Sequence, residues 1–236
     1  VTESGKVAVV AGIGAGLGSA LCRQLATQGY RVAGLARSPE AGQTLLDELG
    51  ADHFLSLSCD VTDATAVDQA MSEVESKFGA ADVYIHNAAS LHHQPFLETD
   101  PAVFQQLWST QCLGAVHGSQ RVLPAMLQQT RGALLFIGAT ASVKAGAHFS
   151  AFGVAKFALR GLAQSLAREF GPQGIHVAHL LIDGVIWGER ARDSFGMSEE
   201  QCLQPDAIAK TCLQLLEQDR SAWTHELDIR PDRETF

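Results

Sequence analysis

The chain has 236 residues, of which 46% are hydrophobic and 18% charged, enough length and apolar content to bury the core of one large α/β domain. A formal net charge of -9, with no Lys/Arg cluster to interrupt it, argues against a nucleic-acid partner, because a phosphate backbone would be repelled. Five scattered cysteines without a C-x-x-C pair argue against a zinc site or a disulfide framework and for a reducing, cytoplasmic setting, and no stretch reaches the ~20 apolar residues of a membrane span.

Short β-branched runs alternate with longer segments of helical period, the pattern that builds a parallel sheet through crossover helices. The first predicted strand, Lys6 to Ala11, runs into Gly12-Ile13-Gly14-Ala15-Gly16-Leu17-Gly18 and then a helical pattern from Ser19 to Gly29. This reads as strand, tight turn and helix N-terminus, not as a signal peptide. Glycine permits positive φ and close backbone approach, while a helix start offers free N–H groups and a favourable dipole to a pyrophosphate. The glycines fit G-x-x-x-G-x-G at positions 12, 16 and 18; they do not fit G-x-G-x-x-G.

A second strand, Tyr30 to Ala36, ends at Arg37-Ser38, with no carboxylate there to receive a ribose 2′-hydroxyl. A guanidinium and a hydroxyl suit a 2′-phosphate, which predicts NADP, with NAD as the alternative. Ser38-Pro39 starts a helix, and a third strand from His53 to Leu57 leads to Cys59-Asp60-Val61 and a helix start at Thr62-Asp63. Asp60 is a candidate to help cap that helix, a role compatible with contact to a ligand. The fourth strand, Asp82 to His86, closes on Asn87-Ala88-Ala89. The adjacent His92 and His93 point apart and lack a third partner at suitable spacing, so no metal site is expected.

From Asp100-Pro101 a long helical pattern reaches Gln129, with Pro124 expected to kink or divide it. The fifth strand, Gly132 to Ile137, precedes Ala139, Thr140 and Ser142; Ser150 is a candidate N-cap for a helix from Ala151 to Phe170. A sixth strand, Ile175 to Leu181, leads into Ile182-Asp183-Gly184-Val185-Ile186. The least patterned stretch, 187–204, reads as a mobile flap over a site, followed by a helix from Pro205-Asp206 and a seventh strand from Thr224 to Ile229.

The glycine spacing, Asp60-Val61, Asn87-Ala88-Ala89 and the lysine of Phe152-Gly153-Val154-Ala155-Lys156 together resemble the short-chain dehydrogenase/reductase family over essentially the whole chain. The resemblance implies a single-domain, Rossmann-type, doubly wound parallel α/β sheet of about seven strands flanked by helices. It also implies a cofactor path, with Gly12, Gly16, Leu17 and Gly18 at the pyrophosphate and Arg37 and Ser38 at the adenosine ribose. Asp60 and Val61 lie at the adenine, Asn87 and Ala88 beside the cofactor backbone, Lys156 at the nicotinamide ribose, and Gly184 and Ile186 at the nicotinamide. A homo-oligomer, dimer or tetramer, is a further implication.

The family's catalytic asparagine, serine, tyrosine and lysine map onto Gln111, Ala139, Phe152 and Lys156, so only the lysine is retained. Phe152 cannot exchange a proton and Ala139 cannot hold an oxyanion. The enoyl-reductase spacing would put its tyrosine at Phe149, and Tyr30 and Tyr84 both lie in predicted strands. Candidate proton sources are therefore Lys156, His148, the hydroxyls of Thr140, Ser142 or Ser150, and water, His148 having the most suitable unperturbed pKa. The resulting expectation is an NADP(H)-dependent oxidoreductase acting on a small molecule through a non-standard proton source. Its alternative is a catalytically silent NADP(H)-binding sensor or assembly protein. A substrate able to take its proton from solvent, such as an activated C=C bond, would lose least from the missing acid.

Overall fold

The computed structural model describes residues 5–38 and 40–234. Its strands are β1 (Val7–Ala11), β2 (Arg31–Ala36), β3 (Phe54–Ser58), β4 (Val83–His86), β5 (Gly132–Ile137), β6 (Ile175–Ile182) and β7 (Glu226–Ile229). All pair in parallel, in the order β3-β2-β1-β4-β5-β6-β7. This is the expected single-domain Rossmann-type sheet. The direction of strand succession reverses between β1 and β4, which opens a crevice at the carboxyl ends of the strands. Ala11 pairs with Leu35 and with His86, so the glycine turn and Asn87 emerge side by side at that edge.

Alternation along each strand feeds two separate cores. Ala8 and Val10 face one layer with Leu21, Leu25, Ile208 and Cys212, whereas Val9 and Ala11 face the other with Val67, Met71, Val122 and Leu159. The first layer holds α1 (Leu17–Thr27), α2 (Glu40–Leu49) and α8 (Pro205–Leu216). The second holds α3 (Ala64–Phe78), α4 (Pro101–Trp108), α5 (Gly114–Gln128) and α6 (Ser150–Phe170). Arg160 on α6 grips Glu226 on β7 through two bonds of 2.7 and 2.8 Å, tying the last strand to the α6 layer. Among the described residues no helix is long and apolar enough to cross a membrane.

Helix starts at Asp63 and Asp100 behave as read: the Asp63 carboxylate accepts the Thr65 and Ala66 N–H groups, and Asp100 accepts that of Ala102. Ser150 does not cap α6; it is the first helical residue, Phe149 stands at the cap, and the Ser150 Oγ is buried without a partner. Pro39 lies outside the described residues, and α2 begins at Glu40. The long helical pattern is interrupted at a π-turn over Ser109–Leu113, whereas α5 runs through Pro124. Pro124 and Gln120, whose carbonyl loses its bond, both face solvent, so water can satisfy that oxygen. The seventh strand starts two residues later than expected because Thr224 spends its backbone elsewhere: its N–H donates to Gln218 Oε1 and its carbonyl meets His176 Nε2. Nor is the stretch 187–204 patternless. It holds a short helix, α7 (Glu189–Asp193), with Ala191 fully buried, and returns to the body where Ile186 bridges Leu203.

Candidate functional site

The glycine turn is shaped by close backbone approach. Gly12 has φ of +94°, and a Cβ there would lie 2.5 Å from the backbone of Ala88. At Gly18 a Cβ would lie 2.5 Å from the Gly12 carbonyl oxygen, so both positions admit only glycine without rebuilding the turn. Gly14 and Gly16 have nothing within 4 Å on that side. Asn87 braces the turn by donating from Nδ2 to the Gly12 carbonyl at 2.7 Å, and Ala88 packs beneath it. Leu17 is buried at the start of α1, and no side chain caps that helix; the Ser19 N–H and Oγ both donate to the Gly14 carbonyl, which leaves the N–H groups of Leu17 and Gly18 without a described partner at the helix start. An open turn with unpaired helix-start N–H groups has the polarity that suits a pyrophosphate.

At the end of β2, Arg37 and Ser38 are exposed. No described carboxylate comes within ion-pairing distance of Arg37, although its charge lies near enough to Asp60 to help hold that carboxyl below its ordinary range. The larger cause of that shift is the N–H of Thr62, donated to Asp60 Oδ1 at 2.9 Å. Asp60 thus builds its own turn and leaves helix capping to Asp63. The Ser38 hydroxyl is engaged by Glu40, an acidic neighbour that reading the strand end alone passes over. Val61 is buried, and its carbonyl meets His117 Nδ1 at 3.0 Å.

Lys156 is buried on α6, where Nζ donates to the Ile137 carbonyl at 2.8 Å and sits 5.7 Å from the centre of the Phe152 ring one turn earlier. Burial pushes its pKa down to about 8. Gln111 is fully buried in the π-turn; its Nε2 donates to the Ser90 carbonyl at 3.2 Å, and its Oε1 has no partner. Beneath them His86 is held neutral, its pKa pressed to about 3 by burial first and by Lys156 second. The Thr110 carbonyl can only accept, so the ring proton is on Nε2, and Nδ1 receives the Tyr84 hydroxyl at 3.0 Å.

Two of the hydroxyl candidates are engaged by neighbours. Thr140 donates to Asp183 Oδ1 at 2.6 Å, and Ser142 is fully buried with its Oγ accepting the Ala139 N–H at 3.2 Å. His148 is exposed, with φ of +67° and its ring 5.4 Å from that of His93. Among the described residues no cluster of His, Cys, Asp and Glu could hold a metal. Gly184 turns with φ of +138°. Around Ile186, Trp187 donates to the Leu203 carbonyl and Leu203 to that of Val185, so the Ile186 N–H and C=O point away from this bridge.

A family model described as short chain dehydrogenase matches residues 6–185. The chain belongs to that family. Among solved structures, a short-chain dehydrogenase from Rhodopseudomonas palustris is 34% identical, with a TM-score of 0.80 over 95% of this chain and 98% of that one. A metagenomic short-chain oxidoreductase in complex with NADP is 27% identical, with a TM-score of 0.82 over 97% and 98%. An uncharacterised oxidoreductase of Staphylococcus aureus is 25% identical over 96% of this chain and 97% of its own. Together with the sheet, these relatives make the chain an oxidoreductase of the short-chain dehydrogenase type.

Proposed function

We propose that this protein is an NADP(H)-dependent oxidoreductase whose proton does not come from the tyrosine and serine usual in its family. The observation that carries the reading is the cradle over Gly14 and Gly16, open at the start of an uncapped helix. When bound, the reduced nicotinamide supplies hydride. Gly12, Gly16, Leu17 and Gly18 shape the pyrophosphate seat, with Asn87 and Ala88 behind it and Asp60 and Val61 beside the adenine.

Arg37, with no described carboxylate in ion-pairing range, supports a 2′-phosphate, and the NADP bound to the metagenomic relative agrees. Lys156 would hold the nicotinamide ribose hydroxyls, and the N–H and C=O of Ile186, which the Leu203 bridge leaves unused, would hold the amide. Ala139 and Phe152 stand at the serine and tyrosine positions, so no phenol reaches the reacting carbon. His148, exposed at the mouth, passes a proton between substrate and solvent. Calorimetric titration with NADPH and NADH, followed by NADPH oxidation against a panel of carbonyl and enone acceptors, tests the reading. Absence of NADPH binding would overturn it.

A further inference from the structure

A chain of aromatic rings runs outward from Lys156. The Phe152 ring lies 5.7 Å from Nζ, Phe149 is 6.5 Å from Phe152, His93 is 4.5 Å from Phe149, and His148 is 5.4 Å from His93. Phe149 and Phe152 are half-buried, while both imidazoles are exposed. Two loops are clamped to make this wall: the Gln94 N–H donates to the His148 carbonyl at 2.9 Å, and His148 sits in the left-handed region at φ of +67°. A non-glycine residue kept there by its surroundings is a costly arrangement of the kind that marks a functional loop. None of the four ring side chains carries a hydroxyl or a carboxylate. What the wall offers a ligand is flat π surface and, at its outer end, imidazole nitrogen.

Resting on the nucleotide-binding reading above, we propose that the site takes planar aryl-conjugated C=C acceptors, the aryl enones. Their ring lies against Phe149 and Phe152 and their carbonyl oxygen is turned toward His93 and His148. Hydride added to a simple carbonyl carbon creates a localised alkoxide, for which Ala139 and Phe152 provide neither donor nor acid. Hydride added to the β-carbon of an enone breaks the C=C π bond and moves its electron pair on to an enolate oxygen. Imidazolium or water at the mouth protonates that oxygen to the enol, which passes to the saturated ketone as the α-carbon takes up a proton and the oxygen returns one to solvent, and the reduced dinucleotide is the two-electron donor that becomes oxidised. An enolate spreads its charge, so the reaction loses least from the missing acid, while the aryl ring covers apolar faces that a small aliphatic substrate would leave wet.

Benzylideneacetone and its aliphatic counterpart 3-penten-2-one test this as substrates of the NADPH-loaded protein. Binding of the unreactive product 4-phenylbutan-2-one, followed by calorimetry, gives a readout independent of turnover. Benzylideneacetone should show a KM roughly tenfold below that of 3-penten-2-one. Phe149→Leu, which keeps bulk without the ring, should erase most of that preference and weaken 4-phenylbutan-2-one, whereas His93→Ala should weaken both enones alike, with NADPH affinity unchanged in each. Intact NADPH binding with no reduction of benzylideneacetone, or with equal KM values for the two enones, would overturn the proposal. Were NADPH not to bind while 4-phenylbutan-2-one still bound in a Phe149-dependent way, the cofactor reading would fall and the aryl site would stand. Loss of both would remove both.

Discussion

The two halves of the crevice are built from different materials. Around β1 and α1 the shape is made by backbone: Gly12 and Gly18 let strand and helix touch, Asn87 ties its amide to the Gly12 carbonyl, and open space remains over Gly14 and Gly16. Around β5 and α6 it is made by side chains, and there the accounts are incomplete. The Gln111 Oε1, His179 Nε2 and Ser150 Oγ atoms are buried without partners, and Lys156 is a cation in an apolar setting beside Phe152. A backbone cradle fails as a unit when one atom is added, whereas a side-chain site can exchange a tyrosine for a phenylalanine and keep its frame. On the reading proposed above, the nucleotide half keeps the family pattern while the reacting half departs from it.

The harshest way to break that contrast is at the turn. Gly12→Ala forces a methyl to within 2.5 Å of backbone atoms of Ala88, at a φ of +94° that side chains rarely adopt. A stability loss of about 3 kcal/mol or more is expected, with NADPH binding abolished. Gly14→Ala, with nothing within 4 Å, should change stability by no more than ~0.5 kcal/mol. It should nevertheless weaken NADPH roughly tenfold by intruding on the pyrophosphate seat. Thermal melts and calorimetry on the two variants separate folding from binding; equal melting temperatures for both would defeat the backbone argument.

On the side-chain half, the double change Ala139→Ser, Phe152→Tyr should create or raise NADPH-dependent reduction of small diketones. Lys156 would stand one turn from the new phenol and lower its pKa. General acid catalysis is worth ~10² to 10⁴ in rate, and the lower end is expected because Gln111 is committed to the Ser90 carbonyl. Unchanged rates across a broad carbonyl panel, with NADPH still bound, would show that position 152 does not face the reacting carbon.

Lys156 belongs to both halves, and Lys156→Met should weaken NADPH roughly ten- to a hundredfold through lost charged hydrogen bonds to the ribose. It also carries a sign that can be checked without cofactor. Burial holds its folded pKa at about 8, below the ordinary 10.5, so between these values the unfolded chain binds more protons and stability rises with pH. Below about pH 8 the cost of the buried charge is fully present. Wild type should thus gain stability relative to Lys156→Met as pH rises from 8 towards 10.5 in denaturant titrations. A constant difference across that window would mean that the ammonium is not desolvated.

Features that depend on neighbours along the chain were legible in the sequence, and features that depend on register were not. The glycine turn, the caps at Asp63 and Asp100 and the seven strands follow from local pattern. The π-turn at Ser109–Leu113 does not, because it exists where Gln111 reaches a carbonyl on another loop, and Pro124 misleads because its orphaned carbonyl faces water. The Thr140–Asp183 bond and the His93–His148–Phe149 rings join residues far apart in sequence, brought together only by strand order and loop clamping. Nor does the strand-end reading at Arg37 and Ser38 include Glu40, whose carboxylate takes up the Ser38 hydroxyl from the start of the next helix.

That last pairing frames the mildest test, cofactor choice. Arg37 is exposed, so its attraction to a 2′-phosphate is partly screened by water and salt, and roughly tenfold is a fair size for its contribution. Arg37→Asp should weaken NADPH by about that factor and tighten NADH severalfold, since the new carboxylate can accept a ribose 2′-hydroxyl. The substitution should leave the fold alone, because the bond that Ser58 Oγ donates at this position goes to the Arg37 backbone carbonyl. Raising ionic strength should shrink the NADPH preference of wild type and leave that of the variant nearly flat. Glu40→Ala gives the opposite arm: with that carboxylate gone, NADPH should bind slightly tighter and NADH no better. If Arg37→Asp leaves the NADPH to NADH ratio untouched while Glu40→Ala weakens NADH, then Glu40 reads the ribose, and the chain is an NAD-preferring member of its family.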